Sequence, residues 1–425
     1  MDTKQLYDEY LITSMVAGFE PIVATSAEGC TLVGDDGKEY LDCFSGISVV
    51  NAGHGHPRVR AAAKAQIDQL VHCCTYVYYN PRAGELAQKL ARATPGRLQK
   101  TFFCNSGAEA VEGAMRLAKQ FTSRQEIVCL TQSFHGRTWG TLSVTGNRGR
   151  KKGAGPYAPG IAFTPAPYCY RCPFKSSLPQ CGYACAEYLD QVLRYATCGS
   201  VAAFLAEAVM GEGGIIVPPP EYFKIAVELA RKDGAVFIAD EVQCGFGRTG
   251  KMFAIEHYGV EPDILCMAKG IADGFPLGGF IARPDVANAF TPGDHLSTFG
   301  GNPVCCAAAS ANLDVMLDEK LPERAATTGA WFMQKLVELQ DKHGLIGEVR
   351  GKGLMIGIEM VLDRNKTPAP EQTKQVRGLC REAGLLLGQG GSFNNVLRLQ
   401  PPLVLTEEQA ARAVSTLDQA LAKVA

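Results

Sequence analysis

Two apolar runs each end in a residue able to do chemistry. Ala235-Val-Phe-Ile-Ala-Asp240-Glu-Val-Gln243 reaches a carboxylate, and Ile264-Leu-Cys-Met-Ala-Lys269-Gly270, one strand–helix unit later, reaches an amine. In open sheets of alternating strands and helices, ligands bind beyond the carboxyl ends of the strands, so Asp240 and Lys269 are expected over one site. An amine there can form a Schiff base with a carbonyl, and a carboxylate can keep a ring nitrogen protonated. Pyridoxal phosphate (PLP) makes both demands. A half-buried Asp–Lys ion pair is the other reading of the same two residues. A third segment adds weight. In Phe102-Phe-Cys-Asn-Ser106-Gly107-Ala108-Glu-Ala-Val a short strand opens directly into a helix, which presents free N–H groups and a positive helix end to a phosphate. Ser106 alone would equally be an ordinary N-cap.

The elements that must hold these residues follow from periodicity. Between Gln99 and Pro292, short apolar runs alternate with helical stretches: Thr101 to Cys104, Glu126 to Leu130, Ala202 to Leu205, Ala235 to Ala239, Ile264 to Met267 and Gly278 to Ile281. This alternation predicts a mainly parallel sheet covered by helices. Ahead of it, a helix is expected near Gln5 to Val16. A hairpin should follow, from Thr31-Leu-Val33 through the turn Asp35-Asp-Gly37 to Glu39–Cys43. Beyond Pro303, a helical pattern over Ala307 to Leu317 precedes strands at Gly353 to Met360 and Val396 to Leu399. The expected division is a large α/β domain over 56–320, a smaller one over 321–425, and an N-terminal segment, 1–55, joining the small domain.

The composition excludes several function classes. The chain has 425 residues, 46% apolar and 20% charged, with 42 basic and 43 acidic side chains and a net charge of -1. No basic face recruits nucleic acid or anionic lipid. No uncharged apolar stretch is long enough to span a bilayer, and Met1 to Met15 carries acids where a secretory signal has basic and apolar regions. A cytoplasmic location is expected. Of sixteen cysteines, Cys104, Cys129, Cys266, Cys305 and Cys306 lie within apolar runs, where a free thiol acts as a small hydrophobe.

The chain resembles the class III (ω-amino acid) aminotransferases of PLP fold type I along nearly its whole length. The resemblance is closest to the 4-aminobutyrate and acetylornithine types. It rests on Asn51-Ala-Gly-His-Gly-His-Pro57, Asn105-Ser-Gly-Ala-Glu-Ala110, Ser133-Phe-His-Gly-Arg-Thr138, Ala239-Asp-Glu-Val-Gln243, Gly245-Phe-Gly-Arg-Thr-Gly250, Met267-Ala-Lys-Gly270 and Ser297-Thr-Phe-Gly-Gly-Asn-Pro303. It implies an α/β, aspartate-aminotransferase-like fold and PLP as cofactor. Lys269 would carry the cofactor and shuttle the proton, and Asp240 would pair with the pyridine nitrogen. Gln243 would meet the ring hydroxyl, and Phe134 would lie against the ring with His135 beside it. Ser106, Gly107 and Ala108 would hold the phosphate, completed by Thr298 from a neighbouring subunit of a homodimer or homotetramer.

For substrates, a planar guanidinium grips a carboxylate with two parallel hydrogen bonds. The resemblance points to Arg398 for the α-carboxylate of the 2-oxo acid, to Glu212 as the partner masking Arg398 when an ω-amine is bound, and to Arg137 for the distal carboxylate of a donor such as 4-aminobutyrate. A static Glu212–Arg398 salt bridge is the alternative. Ile47 stands where 4-aminobutyrate enzymes have an apolar residue. Glu207 is expected to orient Gln243 rather than bind the substrate amine. Two departures, Ala208 after Glu207 and Asp273 in Gly-Ile-Ala-Asp-Gly-Phe-Pro, bear on the substrate. The expected reaction moves an amino group from an ω-amino acid to 2-oxoglutarate or pyruvate. An acetylornithine- or ornithine-type donor, and a racemase or epimerase on the same scaffold, are the alternatives. Outside this scheme lie Cys169-Tyr-Arg-Cys172-Pro and Cys181-Gly-Tyr-Ala-Cys185, whose thiols could bind zinc, form disulfides or stay free.

Overall fold

The computed structural model describes residues 2–14 and 20–424. Seven runs pair into one sheet in the order Lys100–Cys104, Gly278–Ala282, Ile264–Met267, Val236–Asp240, Val201–Glu207, Glu126–Leu130 and Ile161–Thr164. Pairing is parallel from Ile264–Met267 across to Ile161–Thr164, while Gly278–Ala282 runs against both its neighbours. The mainly parallel sheet is therefore present, and its central strands are buried on both faces. Phe237, Ala239, Leu265 and Met267 pack into one apolar core, and the alternate residues Val236, Ile238, Ile264 and Cys266 into a second. A strand covered on both sides needs an unbroken apolar run. Cys129 and Cys266 fill the second core as hydrophobes, and burial pushes both thiols well up from their ordinary range.

Strand register sets the site. Glu207 pairs with Asp240, and Asp240 with Cys266, so these strands end level with one another and Lys269 follows just past the same edge. The predicted hairpin forms between Thr31–Gly34 and Glu39–Asp42, with a further strand, Ala24–Glu28, outside it. This sheet closes late in the chain, because Leu385–Leu386 adds in parallel beside Glu39–Asp42. A third sheet, Ile346–Lys352, Met355–Met360, Val396–Leu399 and Gly388–Gly390, is antiparallel throughout and carries Arg398. The first helix spans Thr3–Tyr10 and gives way to extended backbone at Leu11. It is shorter than expected, and Met15 and Val16 lie outside the described residues. No helix among the described residues is long and apolar enough to cross a membrane.

One side chain joins distant parts of the chain. Arg248 is fully buried, and its Nη2 donates to Asn51 Oδ1 at 2.5 Å while its Nη1 donates to the carbonyls of Leu354, at 3.2 Å, and Pro401. Burial draws its pKa down to about 9, with the charge of Asp42 opposing. Arg248→Met keeps the bulk but orphans these acceptors, at about 1–3 kcal/mol each. We expect a loss of about 3 kcal/mol, read as a lower midpoint in thermal and denaturant unfolding; an unchanged midpoint would show that the contacts carry no stability.

Candidate active site

Asp240 ends a central strand with its carboxylate fixed from two sides. Oδ2 meets His135 Nδ1 at 2.7 Å, and Oδ1 accepts from the Val242 amide at 3.0 Å. A carboxylate only accepts, so the proton of this contact sits on Nδ1. The other ring nitrogen, Nε2, is buried without a partner among the described residues, and the His135 amide donates to Thr145 Oγ1 at 3.0 Å. His135 thus stands as a support of the acid.

Lys269 leaves its strand with φ at +48°, in the left-handed region, a conformation costing a non-glycine residue about 1–2 kcal/mol. Asn312 holds the turn, its Nδ2 donating to the carbonyls of Gly270 at 2.8 Å and Ile271 at 3.1 Å. Burial lowers the Lys269 amine's pKa against the opposing pull of Glu212, Asp240 and Glu207. These three carboxylates and Arg398 all act on that amine, so strand ends and loops far apart in sequence meet at one place.

Glu207 accepts from the amides of Phe134, at 2.9 Å, and Gly211, at 2.8 Å. Among the described residues no hydrogen bond joins it to Gln243. Gln243 instead receives Gln400 Nε2 on its Oε1 at 3.0 Å, which leaves its own Nε2 to donate elsewhere. Ser106 caps the helix Gly107–Thr122, its Oγ accepting from the Glu109 amide at 3.2 Å. The amides of Gly107 and Ala108 have no acceptor within the helix. A Cβ on Gly107 would lie 2.7 Å from Val242 Cγ1, so this helix end comes close to the Asp240 loop only because residue 107 is glycine. A fixed carboxylate, an amine of lowered pKa and a helix start whose first two amides lack intrahelical acceptors fit PLP: Asp240 could hold the ring nitrogen, Lys269 the carbonyl and the Gly107 turn the phosphate.

Around this centre, Glu212 Oε1 accepts from Arg398 Nη1 at 2.6 Å and Oε2 from Arg150 Nη2 at 2.7 Å. Burial would raise the Glu212 carboxyl, but the two guanidiniums outweigh it and hold the pKa at about 2. Arg150 escapes a reading of the sequence, where it belongs to a basic run, Arg148-Gly-Arg-Lys-Lys152, that looks solvated. Arg137 is exposed, its guanidinium 5.6 Å from the Phe134 ring centre. Ile47 is exposed with φ at +71°. Thr298 is exposed and has no hydrogen bond among the described residues, while the neighbouring Ser297 Oγ accepts from Asn105 Nδ2 at 3.3 Å. Ala208 is fully buried, and Asp273 accepts from the Ala52 amide at 3.0 Å.

Cys169, Cys172, Cys181 and Cys185 all line one small cavity of about 100 Å³, and all four are free thiols. Among the described residues no three His, Cys, Asp or Glu side chains are placed to hold a metal ion.

Burial raises the Glu207 carboxyl from 4.5 to about 7, with His135 opposing. A carboxyl raised on folding contributes stability that is full below its ordinary pKa and lost as pH climbs through the folded one. Glu207→Gln removes one such group, so its thermal midpoint should fall less steeply than the wild type's between pH 4.5 and about 7. Parallel profiles would show that folding does not raise the Glu207 pKa.

Comparison with known proteins agrees with this geometry. Residues 14–421 match the family Aminotransferase class-III. An acetylornithine aminotransferase of Methanothermobacter thermautotrophicus is 41% identical over 94% of this chain and 93% of its own length. A 4-aminobutyrate aminotransferase of Mycobacterium leprae is 37% identical over 94% and 91%. Among solved structures, a PLP-bound amine transaminase from an uncultivated Pseudomonas species superposes with a TM-score of 0.92 at 33% identity, covering 98% of this chain and 99% of that one. With a family match across nearly its full length and a fold shared with a PLP-bound relative, the chain belongs to the class III aminotransferases, PLP-dependent transaminases of fold type I.

Proposed function

We propose that this aminotransferase moves the amino group of an ω-amino acid of the 4-aminobutyrate type to 2-oxoglutarate or pyruvate. The observation that carries the proposal is the masked guanidinium of Arg398. A transaminase must admit two substrates to one pocket, and here an arginine suited to an α-carboxylate is covered by Glu212 at 2.6 Å, while its buried Nε has no partner among the described residues. A donor whose carboxylate lies at the far end from its amine enters with the pair closed; an oxo acid needs it open. A relative named for 4-aminobutyrate at 37% identity supports this donor class.

Bound PLP supplies a carbonyl for amine exchange and a ring that takes up carbanion electrons. Lys269, its amine's pKa lowered by burial, takes the proton from the amine-bearing carbon of the substrate onto Nζ. Asp240 presents a carboxylate whose direction His135 and Val242 fix. The free amides of Gly107 and Ala108 serve the phosphate, with Ser106 holding the helix start. Phe134, positioned by Glu207 through its amide, forms an apolar wall. Gln243 donates through Nε2. Arg137 receives the distal carboxylate beside an apolar boundary at Ile47. In this reading the chain is a homodimer or a pair of dimers, in which the exposed loop bearing Thr298 completes the neighbouring site. The exposed Leu296 and Phe299 on that loop support it.

The visible spectrum of the cofactor-loaded protein tests the donor. Without any oxo acid, 4-aminobutyrate should shift the cofactor band, 2-oxoglutarate or pyruvate should restore it, and Lys269→Ala should turn over neither. A shift with N-acetylornithine or ornithine alone would move the donor to that class; no shift with any ω-amine, together with exchange of the leucine α-proton into solvent, would mean racemisation. The acceptor is tested by Arg398→Met. Its kcat/KM should fall roughly a hundredfold more for 2-oxoglutarate than for an uncharged aldehyde, and equal losses would remove Arg398 from acceptor recognition.

A further inference from the structure

Glu212 is shared between two cations. Side-chain exposure is 11% for Glu212, 4% for Arg398 and 12% for Arg150, so all three lie largely out of water. The guanidiniums come from separate elements, Arg398 from the strand Val396–Leu399 and Arg150 from the short helix Arg148–Lys151 capped by Asn147. Their surroundings differ. Arg398 also donates from Nη2 to the Gln389 carbonyl at 3.3 Å and lies 5.2 Å from the Phe44 ring centre. For the Arg150 guanidinium, Glu212 is the one acceptor among the described residues. The Glu212 backbone is tied, its carbonyl accepting from the Gly391 amide at 3.2 Å.

We propose that Arg150 is a specificity-determining residue, the fixed anchor that keeps Glu212 paired while an acceptor's α-carboxylate takes Arg398. The inference rests on the reading that Arg398 receives the acceptor. Stripping a buried carboxylate of its only cation is strongly unfavourable. With Arg398 as sole partner, every oxo acid would have to displace Glu212 into an uncompensated position. With Arg150 on the second oxygen, Glu212 gives up one contact and keeps the other, so the mask opens against a smaller barrier. Arg150 thereby acts on acceptor affinity through Glu212 without touching the acceptor.

The test compares 2-oxoglutarate with an uncharged aldehyde on the PLP-loaded enzyme. Arg150→Met should raise the ratio of KM for 2-oxoglutarate to KM for the aldehyde about tenfold, within the usual range of coupling between sites. Arg150→Lys, which keeps a cation there, should recover most of that ratio. In a Glu212→Gln background nothing charged masks Arg398, so adding Arg150→Met should change the ratio less than about twofold. An unchanged ratio in Arg150→Met would overturn the proposal, as would a tenfold penalty persisting with Glu212→Gln, because Arg150 would then meet the anion directly. Equal damage to both acceptors in Arg398→Met would instead bring down the reading beneath it.

Discussion

Three buried carboxylates converge on one partly buried amine, and the structure around them is arranged to make that tolerable. Glu207, Glu212 and Asp240 all act on Lys269, and each is settled differently. Glu212 is held ionised by two guanidiniums. Asp240 has a histidine and a main-chain amide. Glu207 has two amides and a pKa raised to about 7, so near neutrality it carries only part of a negative charge. Low dielectric makes each unmet charge expensive, and the backbone donors to Glu207 and Asp240 exist only because both residues stand where strands end and amides turn free. The register Glu207–Asp240–Cys266 is thus an electrostatic as well as a geometric arrangement.

A second charge cluster ties the turn bearing Glu212 to the antiparallel sheet. Arg350 Nε donates to the carbonyls of Gly214 at 3.1 Å and Ile215 at 3.0 Å, and its Nη1 meets Glu348 and Glu359, each at 2.6 Å. Glu359 also receives the Tyr168 hydroxyl and Arg171 Nε at 2.5 Å, so the cysteine-bearing loop docks on the same carboxylate. Burial alone would raise Glu359, but Arg350 and these donors lower its pKa. The mask over Arg398 is therefore hung from a framework of ion pairs. Gly390 belongs to it too, since a Cβ there would stand 2.8 Å from Arg398 Nε.

The central strands were legible because burial on both faces demands apolar residues at every position, and the two catalytic candidates stood out as charged residues ending such runs. Less legible were elements stabilised by something other than an apolar run. Ile346–Lys352 contains Glu348, Arg350 and two glycines and has no apolar run, yet Arg350 is met by Glu348, by Glu359 and by the carbonyls of Gly214 and Ile215. Ile161–Thr164 is an edge strand of four residues, half-buried for most of its length. At the site, Asp240 and Lys269 were readable from position, and Arg398 from an isolated charge in an apolar strand. Arg150 was not, because a basic run looks solvated until folding brings Glu212 to it. The partners of Glu207 are main-chain amides, which leave no mark on composition.

The hairpin near the start of the chain has its last strand supplied from near the end, where Leu385–Leu386 lies beside Glu39–Asp42, and the amides of Gln400 and Leu403 donate to the carbonyls of Cys43 and Asn51. During synthesis on the ribosome, the first sheet to emerge can therefore be completed only after the whole parallel sheet has been made. Its unpaired edge must wait for nearly the whole polypeptide, while the parallel sheet between can begin to assemble. Such long-range closure is slow and leaves a strand edge open to the wrong partner. The short, polar-flanked strands of this hairpin suit that delay, since an edge of four residues is a poor template for another chain.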